Sequence, residues 1–323
     1  MEEKVELSPM EIRILRYLSQ RGFTPEATIA KDLKLSKSTV RYKLKKLQKL
    51  NVLCGCRYRL NYNKFGFATR AWVFLKVECS TDITAFAEEL LKIPHIHAVC
   101  FLTGEEDLAL RVAVKDLNEL SGLTIALEKR FKDIIKSTKT MIVSKEFKRH
   151  QVILSKEHFE PVKLSNLDLN ILSYLRENPD KGIGEAAKAL NIHRNTLSMR
   201  LKRLFNEKVI LKKSVKINPL YLQEVGIAFK ALVLFDVKTA EVEEVAAKLV
   251  QMPEVHELEM ISTHFDLLAV VRTADLQEFY EFNRKIFSNE DIRSHLNSTC
   301  SNVILYEKVR AITPMEIIYG ATP

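Results

Sequence analysis

The sequence predicts an α+β fold in which one unit is built twice, and three observations carry that prediction. The chain of 323 residues repeats itself: LSPMEIRILRYL at 7–18 lies over LSNLDLNILSYL at 164–175, and the same offset runs without a gap to Leu60 and Ile217. Each repeat opens with helical periodicity and continues with short runs rich in aromatic and branched residues. Charge is partitioned in the same way. Residues 1–60 hold 14 Lys/Arg against 6 Asp/Glu, and residues 164–217 hold 11 against 5. Those two segments carry +8 and +6 of a net +9, which leaves −5 for the rest. Charge kept only for solubility would not gather in two places; a footprint for an anionic partner would.

The first part of each copy reads as three short helices. Ser8-Pro9-Met10-Glu11 is a capping box with Pro at the first helical position, and Ser165-Asn166-Leu167-Asp168 repeats it. Ile14, Leu15 and Leu18 mark an apolar face, as do Ile171, Leu172 and Leu175. A second helix follows, roughly 25–33 and 184–190, where Ala30 and Ala187 permit close crossing. After a tight turn comes a third, 37–50 and 194–207, reading SKSTVRYKLKKLQK (36–49) and HRNTLSMRLKRLFN (193–206). Val40, Leu44 and Leu47 form one buried stripe, matched by Leu197, Leu201 and Leu204. Lys37, Ser38, Arg41, Tyr42 and Lys45 then point the other way, as do Arg194, Asn195, Ser198, Met199 and Lys202. VLCGCRYRLN and VILKKSVKIN read as hairpin-like wings with further cations.

Three helices, a tight turn and a basic third helix with a wing describe a winged helix-turn-helix, with the third helix sized for the major groove. Arg forks onto guanine, Ser and Asn bond base edges, and Lys suits phosphate. The expected partner is double-stranded DNA. The competing reading is a solvated face on an ordinary three-helix domain, and repetition of pattern and charge together counts against it.

The second part of each copy reads βαββαβ. Strands at 71–79 and 228–237 precede helices at 82–92 and 240–251. Two strands follow (96–102 and 107–114; 255–261 and 266–272), then a helix (116–133; 275–287) and a last strand (137–149; 298–310). This is a ferredoxin-like order with helices on one sheet face. The other face is apolar and is expected to be buried against another copy, within the chain or between chains. The expected organisation is a winged helix-turn-helix at 1–62, a ferredoxin-like domain at 63–150 and a linker at 151–163. A second helix-turn-helix at 164–219 and a second ferredoxin-like domain at 220–323 complete it.

Several classes are excluded or disfavoured. At 46% hydrophobic the chain can build real cores, and no run approaches the length of a transmembrane helix. The acidic start MEEKVELSPM lacks an apolar signal region, so cytoplasmic residence is expected. The five cysteines form no even framework. Cys54-Gly55-Cys56 supplies half of a tetrahedral metal site, and no metal or cofactor is expected. No Gly-rich phosphate loop, HExxH or G-x-S-x-G occurs among residues that include only nine glycines.

The order winged helix-turn-helix, hinge strand, βαββαβ resembles the leucine-responsive regulatory (Lrp/AsnC) family of transcription regulators. LSNLDLNILSYLREN and EAAKALNIHRNTLSMRLKRLFNEKVI are similar to the family's opening and helix-end patterns, and LSPMEIRILRYL with SKSTVRYKLKKLQKLNVL matches in copy one. The chain resembles a tandem fusion of two such proteins. The resemblance implies specific DNA binding, association of the ferredoxin-like domains into a homo-oligomer, and a small effector such as an amino acid between them. It places the effector region at a Gly-x-x-Asp run, here Gly104-Glu105-Glu106-Asp107. Copy two keeps Asp266 but has Thr263 in place of the glycine, which weakens the implication there. The plainer reading of both aspartates is a turn residue entering a strand.

Two alternatives compete with this reading, the first on the same architecture. Sirohaem decarboxylases are similar and tend to carry a His-x-Tyr-x-Arg run in the second strand of the βαββαβ unit. Ala98-Val99-Cys100-Phe101-Leu102 and Glu257-Leu258-Glu259-Met260-Ile261 do not fit it, so catalysis is not expected. A DNA-packaging protein would show the same charge with little sequence preference.

Overall fold

The computed structural model describes residues 4–155 and 158–310. In chain order, copy one supplies α1 (Pro9–Arg21), α2 (Glu26–Leu33), α3 (Lys37–Lys49) and β1 (Leu53–Leu60). It continues with β2 (Thr69–Val77), α4 (Ile83–Leu91), β3 (Ile96–Leu102), β4 (Leu108–Val114), α5 (Leu117–Arg130), β5 (Ile135–Arg149) and the short β6 (Val152–Ile153). Copy two supplies α6 (Asn166–Glu177), α7 (Ile183–Ala189), α8 (Arg194–Asn206), β7 (Ile210–Ile217) and α9 (Leu222–Val225). It ends with β8 (Phe229–Val237), α10 (Val242–Leu249), β9 (Val255–Ser262), β10 (Leu267–Thr273), α11 (Leu276–Ser288), α12 (Glu290–Arg293) and β11 (Leu296–Val309). Both βαββαβ orders are present.

These elements form two compact units that interleave along the chain. One takes the described residues of Met1–Asn61, Lys163–Phe229 and Arg272–Phe282; the other takes those of Tyr62–Val162, Lys230–Val271 and Asn283–Pro323.

In the first unit the helices start where the sequence places caps. The Ser8 hydroxyl accepts the Glu11 amide and the Ser165 hydroxyl the Asp168 amide, each box closed by its acid. Ser36 caps α3 and His193 caps α8. Lys34 and Asn191, at equivalent turns, both adopt left-handed backbone (φ 55° and 50°), as do Asn51 and Lys208 after the third helices (53° and 59°). The duplication therefore extends to individual turns. The wings differ from expectation. Each copy contributes one strand rather than a hairpin, and β1 pairs antiparallel with β7 from Leu53↔Ile217 to Leu60↔Ile210. A lone strand leaves its amides and carbonyls unpaired, and the other copy's equivalent strand satisfies them.

In the second unit eight strands close on themselves. The order β2-β4-β3-β11-β8-β10-β9-β5 returns to its start because β5 also pairs with β2, and β6 adds to β5. The long last strand of each copy makes the closure. β5 pairs with β2 of its own copy from Arg70↔Val143 to Val77↔Ile135, then with β9 of the other from Ile142↔Ser262 to Lys148↔Leu258. β11 does the same with β8 and β3. Period-two alternation in β2 explains the two cores. Val73, Leu75 and Val77 face Phe86, Leu90, Leu120 and Leu127 of α4 and α5. Trp72 and Phe74 face the opposite way, packing with Leu102 and Met141 against Leu232, Leu234, Ile261, Leu268 and Val270 of copy two. The apolar sheet faces are thus buried against each other inside one chain.

Candidate nucleic-acid interface

The reading faces expected from sequence are open. Lys37, Ser38, Arg41, Tyr42 and Lys45 on α3 are all exposed, and so are Arg194, Asn195, Ser198, Met199 and Lys202 on α8. The 3.6-residue repeat puts these spacings on one side of each helix, while Val40 and Leu47, and Leu197, Leu201 and Leu204, are buried on the other. Tyr42 and Met199 occupy equivalent positions and are equally exposed, at 66%. An exposed aromatic and an exposed thioether at the same place are a real difference between two otherwise parallel surfaces. Arg41 is engaged: its Nε lies 3.0 Å from Glu26 Oε2, an acid that copy two replaces with Ile183.

Other cations of the third helices do a different job. Lys43 and Lys46 reach back to Glu11, at 3.0 and 2.9 Å, and Glu11 is fully buried. The same carboxylate accepts the Ser8 amide at 2.8 Å. In copy two Arg200 and Arg203 reach the fully buried Asp168 at 3.0 and 2.9 Å. The capping-box acid therefore fastens the third helix to the start of the first. Burial raises the Glu11 carboxyl, but the hydrogen bonds from Lys46, Ser8 and Lys43 outweigh it and hold the pKa at about 2. Asp168 is likewise lowered: burial opposes, and bonds from Ser165 and Arg200 prevail. The sequence signal for this was present, since both copies pair a first-helix acid with two third-helix cations three residues apart.

A cavity of 1030 Å³ lies between the two helix-turn-helix copies within this unit, lined by residues of both. Leu44 and Gln48 of α3 and their counterparts Leu201 and Phe205 of α8 all contribute to its wall. Lys213 lies over the rings of Phe23 and Tyr58, at 4.5 and 5.1 Å. The Cys56 thiol beside it is pushed up to about 11 by burial, which fits a packed thiol rather than a reactive one.

The candidate effector residues carry structural bonds. Asp107 Oδ2 accepts the Val77 amide at 2.9 Å, and Asp266 Oδ2 accepts the Val237 amide at 2.8 Å. Each aspartate ties its hairpin to the end of the first strand. Gly104 has φ 117°, and a Cβ there would lie 2.6 Å from Asn302 Oδ1. Among the described residues, Glu241, Glu244 and His295 bring donor atoms within 4.8 Å of one another, but Lys248 already holds Glu244 at 2.5 Å. No described helix is long and apolar enough to cross a membrane.

Comparison with known proteins agrees with the order of the domains. The family model for the Lrp/AsnC ligand binding domain matches residues 71–153 and 230–308, and that for a winged helix-turn-helix DNA-binding domain matches 7–53 and 164–210. An HTH-type transcriptional regulator of Pyrococcus horikoshii is 34% identical over 142 residues, 44% of this chain and 88% of that protein. The proline dehydrogenase transcriptional activator of Rhizobium radiobacter is 33% identical over 116 residues, 36% of this chain and 74% of that protein. Among solved structures, the sirohaem decarboxylase NirDL superposes with a TM-score of 0.64 at 15% identity, covering 95% of this chain and 96% of that one. That likeness is one of fold.

Proposed function

The chain belongs to the Lrp/AsnC family, with the family's two domains each present twice, and from that membership we propose that it is a sequence-specific DNA-binding transcription regulator. The observation that carries the reading is the sorting of charge on α3 and α8. Cations that stabilise the fold turn inward to Glu11 and Asp168, whereas Lys37, Arg41, Lys45, Arg194 and Lys202 are left on open faces. In this reading Arg41, Asn195 and Arg194 read base edges, with Ser38, Tyr42 and Ser198 beside them, and the lysines position the helix on phosphate.

The ligand-binding domains support a small effector, such as an amino acid, and the copy-one hairpin with Gly104 and Asp107 is the better candidate. Asp266 stands beside Thr263, and its hairpin lacks the glycine. Where these apolar sheet faces pair within one chain, as they do in this fold, further association between chains would use other surfaces. We assign no catalysis. Ala98–Leu102 and Glu257–Ile261 lack the decarboxylase run, and haem or sirohaem titration should give no stoichiometric spectral change.

The test is selection of bound sequences from random DNA. A regulator enriches a defined site with affinity that falls steeply with salt. Binding without enrichment would make it a packaging protein. Absence of binding at low salt would overturn the reading.

A further inference from the structure

The contact between the two sheets contains an ion network that its pseudo-symmetric counterpart lacks. Copy one contributes Arg70, Arg111, Glu146 and Arg149; copy two contributes Glu257 and Glu259; all six are buried. Arg111 pairs with Glu257, and Arg70 pairs with Glu146 and lies 3.0 Å from Glu259. The Trp72 indole donates to Glu259 at 2.6 Å, and the Arg111 guanidinium lies 4.8 Å from the centre of that ring. His150 Nδ1 is 2.9 Å from Glu257, and Arg149 is 3.7 Å from Glu146. Three guanidinium groups are thus balanced by three carboxylates, two of which come from the other copy.

The strand ladders define the corresponding positions. Glu259 faces Glu146 across β9 and β5, as Cys100 faces Glu307 across β3 and β11. Glu257 faces Val270, as Ala98 faces Arg111. Counting back seven from Val77 and Val237, whose amides bond Asp107 and Asp266, places Lys230 at the position of Arg70. The counterpart site therefore holds Lys230 paired with Glu307 at 2.8 Å, Val270 in place of Arg111, and Ala98 and Cys100 in place of the two copy-two glutamates.

We propose that this sheet face is a surface that selects its partner: the copy-one sheet accepts the copy-two sheet and rejects a second copy of itself. Pairing two copy-one sheets would set Arg70, Arg111 and Arg149 against Ala98 and Cys100 at both sites, with Glu146 the one acid. Pairing two copy-two sheets would set Glu257 and Glu259 against Val270 and a Lys230 already committed to Glu307. Each like pairing buries uncompensated charge twice, and a buried ion without its partner is strongly unfavourable. The unlike pair alone closes both sites. Its members come from one chain, or reciprocally from two chains that exchange sheets.

Two full-length variants with different affinity tags test this. Glu257→Arg sets two arginines against each other within one chain, and Arg111→Glu sets two glutamates. When the two are co-expressed, exchange of sheets matches every pair: the unsubstituted Arg111 meets the unsubstituted Glu257, and the two substituted positions meet each other. The expected result is a one-to-one complex of unlike chains, about tenfold or more over like complexes by native mass. Differently tagged wild-type chains should show no such bias. A chain carrying both substitutions should regain the wild-type melting temperature. If either variant alone is insoluble, recovery of soluble complex on co-expression supports the proposal. Statistical mixing overturns it. So does failure of co-expression to rescue when the chain with both substitutions folds.

Discussion

Glu11→Gln tests whether the capping-box acid holds the reading helix in place. The carboxylate is fully buried and receives Lys43, Lys46 and the Ser8 amide. Its pKa falls from an ordinary 4.5 to about 2. At about 1.4 kcal/mol per unit, that shift would correspond to roughly 3.5 kcal/mol of stability. Lys46 is 39% exposed, so solvent screens part of it and about 2 kcal/mol is the better figure. A carboxyl whose folded pKa is depressed contributes this stability fully above pH 4.5. The contribution is lost as the pH falls from 4.5 towards 2.

The variant should therefore open α1 and α3 more readily at pH 7 by about 2 kcal/mol, and the difference from wild type should shrink towards zero near pH 2. Amide hydrogen exchange on peptides from 9–21 and 37–49 reads this locally, without requiring the whole chain to unfold in two states. Asp168→Asn should behave alike on α6 and α8. A difference that does not change with pH, or that stays below about 0.5 kcal/mol at pH 7, would show that the ion pairs are surface ornaments.

Three further outcomes are expected. Arg41→Ala and Arg194→Ala should each weaken binding to the selected site by about 1–3 kcal/mol and relax different base positions, whereas Lys45→Ala should weaken all sequences evenly; loss of preference at the same positions in both arginine variants would refute two distinct readers. Trp72 is the sole tryptophan, and Trp72→Phe should destabilise the second unit by about 1–3 kcal/mol because the buried Glu259 loses one of its donors, the indole, and keeps only Arg70 within 3.0 Å; denaturant unfolding checks this, and a neutral substitution would show that water replaces the indole. Burial lowers Lys148 to about 8 against the opposing pull of Glu254. The unfolded chain then binds more protons between pH 8 and 10.5, so wild type should gain stability relative to Lys148→Met across that window by about 1–3 kcal/mol, as measured by unfolding at both ends.

The repeat, the element order and the two open helix faces were legible because they rest on local signals. Val40, Leu44 and Leu47 recur at helical spacing, and Ser8 and Ser165 announce the helix starts. What was not legible concerns partners. A strand such as VLCGCRYRL reads the same whether it folds back as a wing or pairs with a strand more than a hundred residues away, because alternation specifies a face and not a neighbour. The same holds for β5 and β11, whose length was visible but whose division between two sheets was not. Helical spacing placed Arg41 on the outward face, but its bond to Glu26 depends on how α2 crosses α3, which a single periodic pattern does not encode.

The two copies have diverged in two places, and the divergences bear on each other. In an ordinary two-fold dimer identical reading helices select a palindrome. Here Lys37, Ser38, Arg41 and Tyr42 stand where the other copy has Arg194, Asn195, Ser198 and Met199. Such unlike readers give a defined asymmetric half-site pair only if the chain delivers one of each. Were copy one free to pair with copy one, an assembly could present two α3 helices or two α8 helices and the asymmetry would have no consequence. The partition of charge between Arg70 and Arg111 on one side and Glu257 and Glu259 on the other removes that freedom at the sheet interface. Loss of the ion network should therefore broaden the set of DNA sites selected, with palindromic sites appearing, even where both reading helices are intact. Selection repeated with the Glu257→Arg chain measures this, and an unchanged asymmetric site would separate the two divergences.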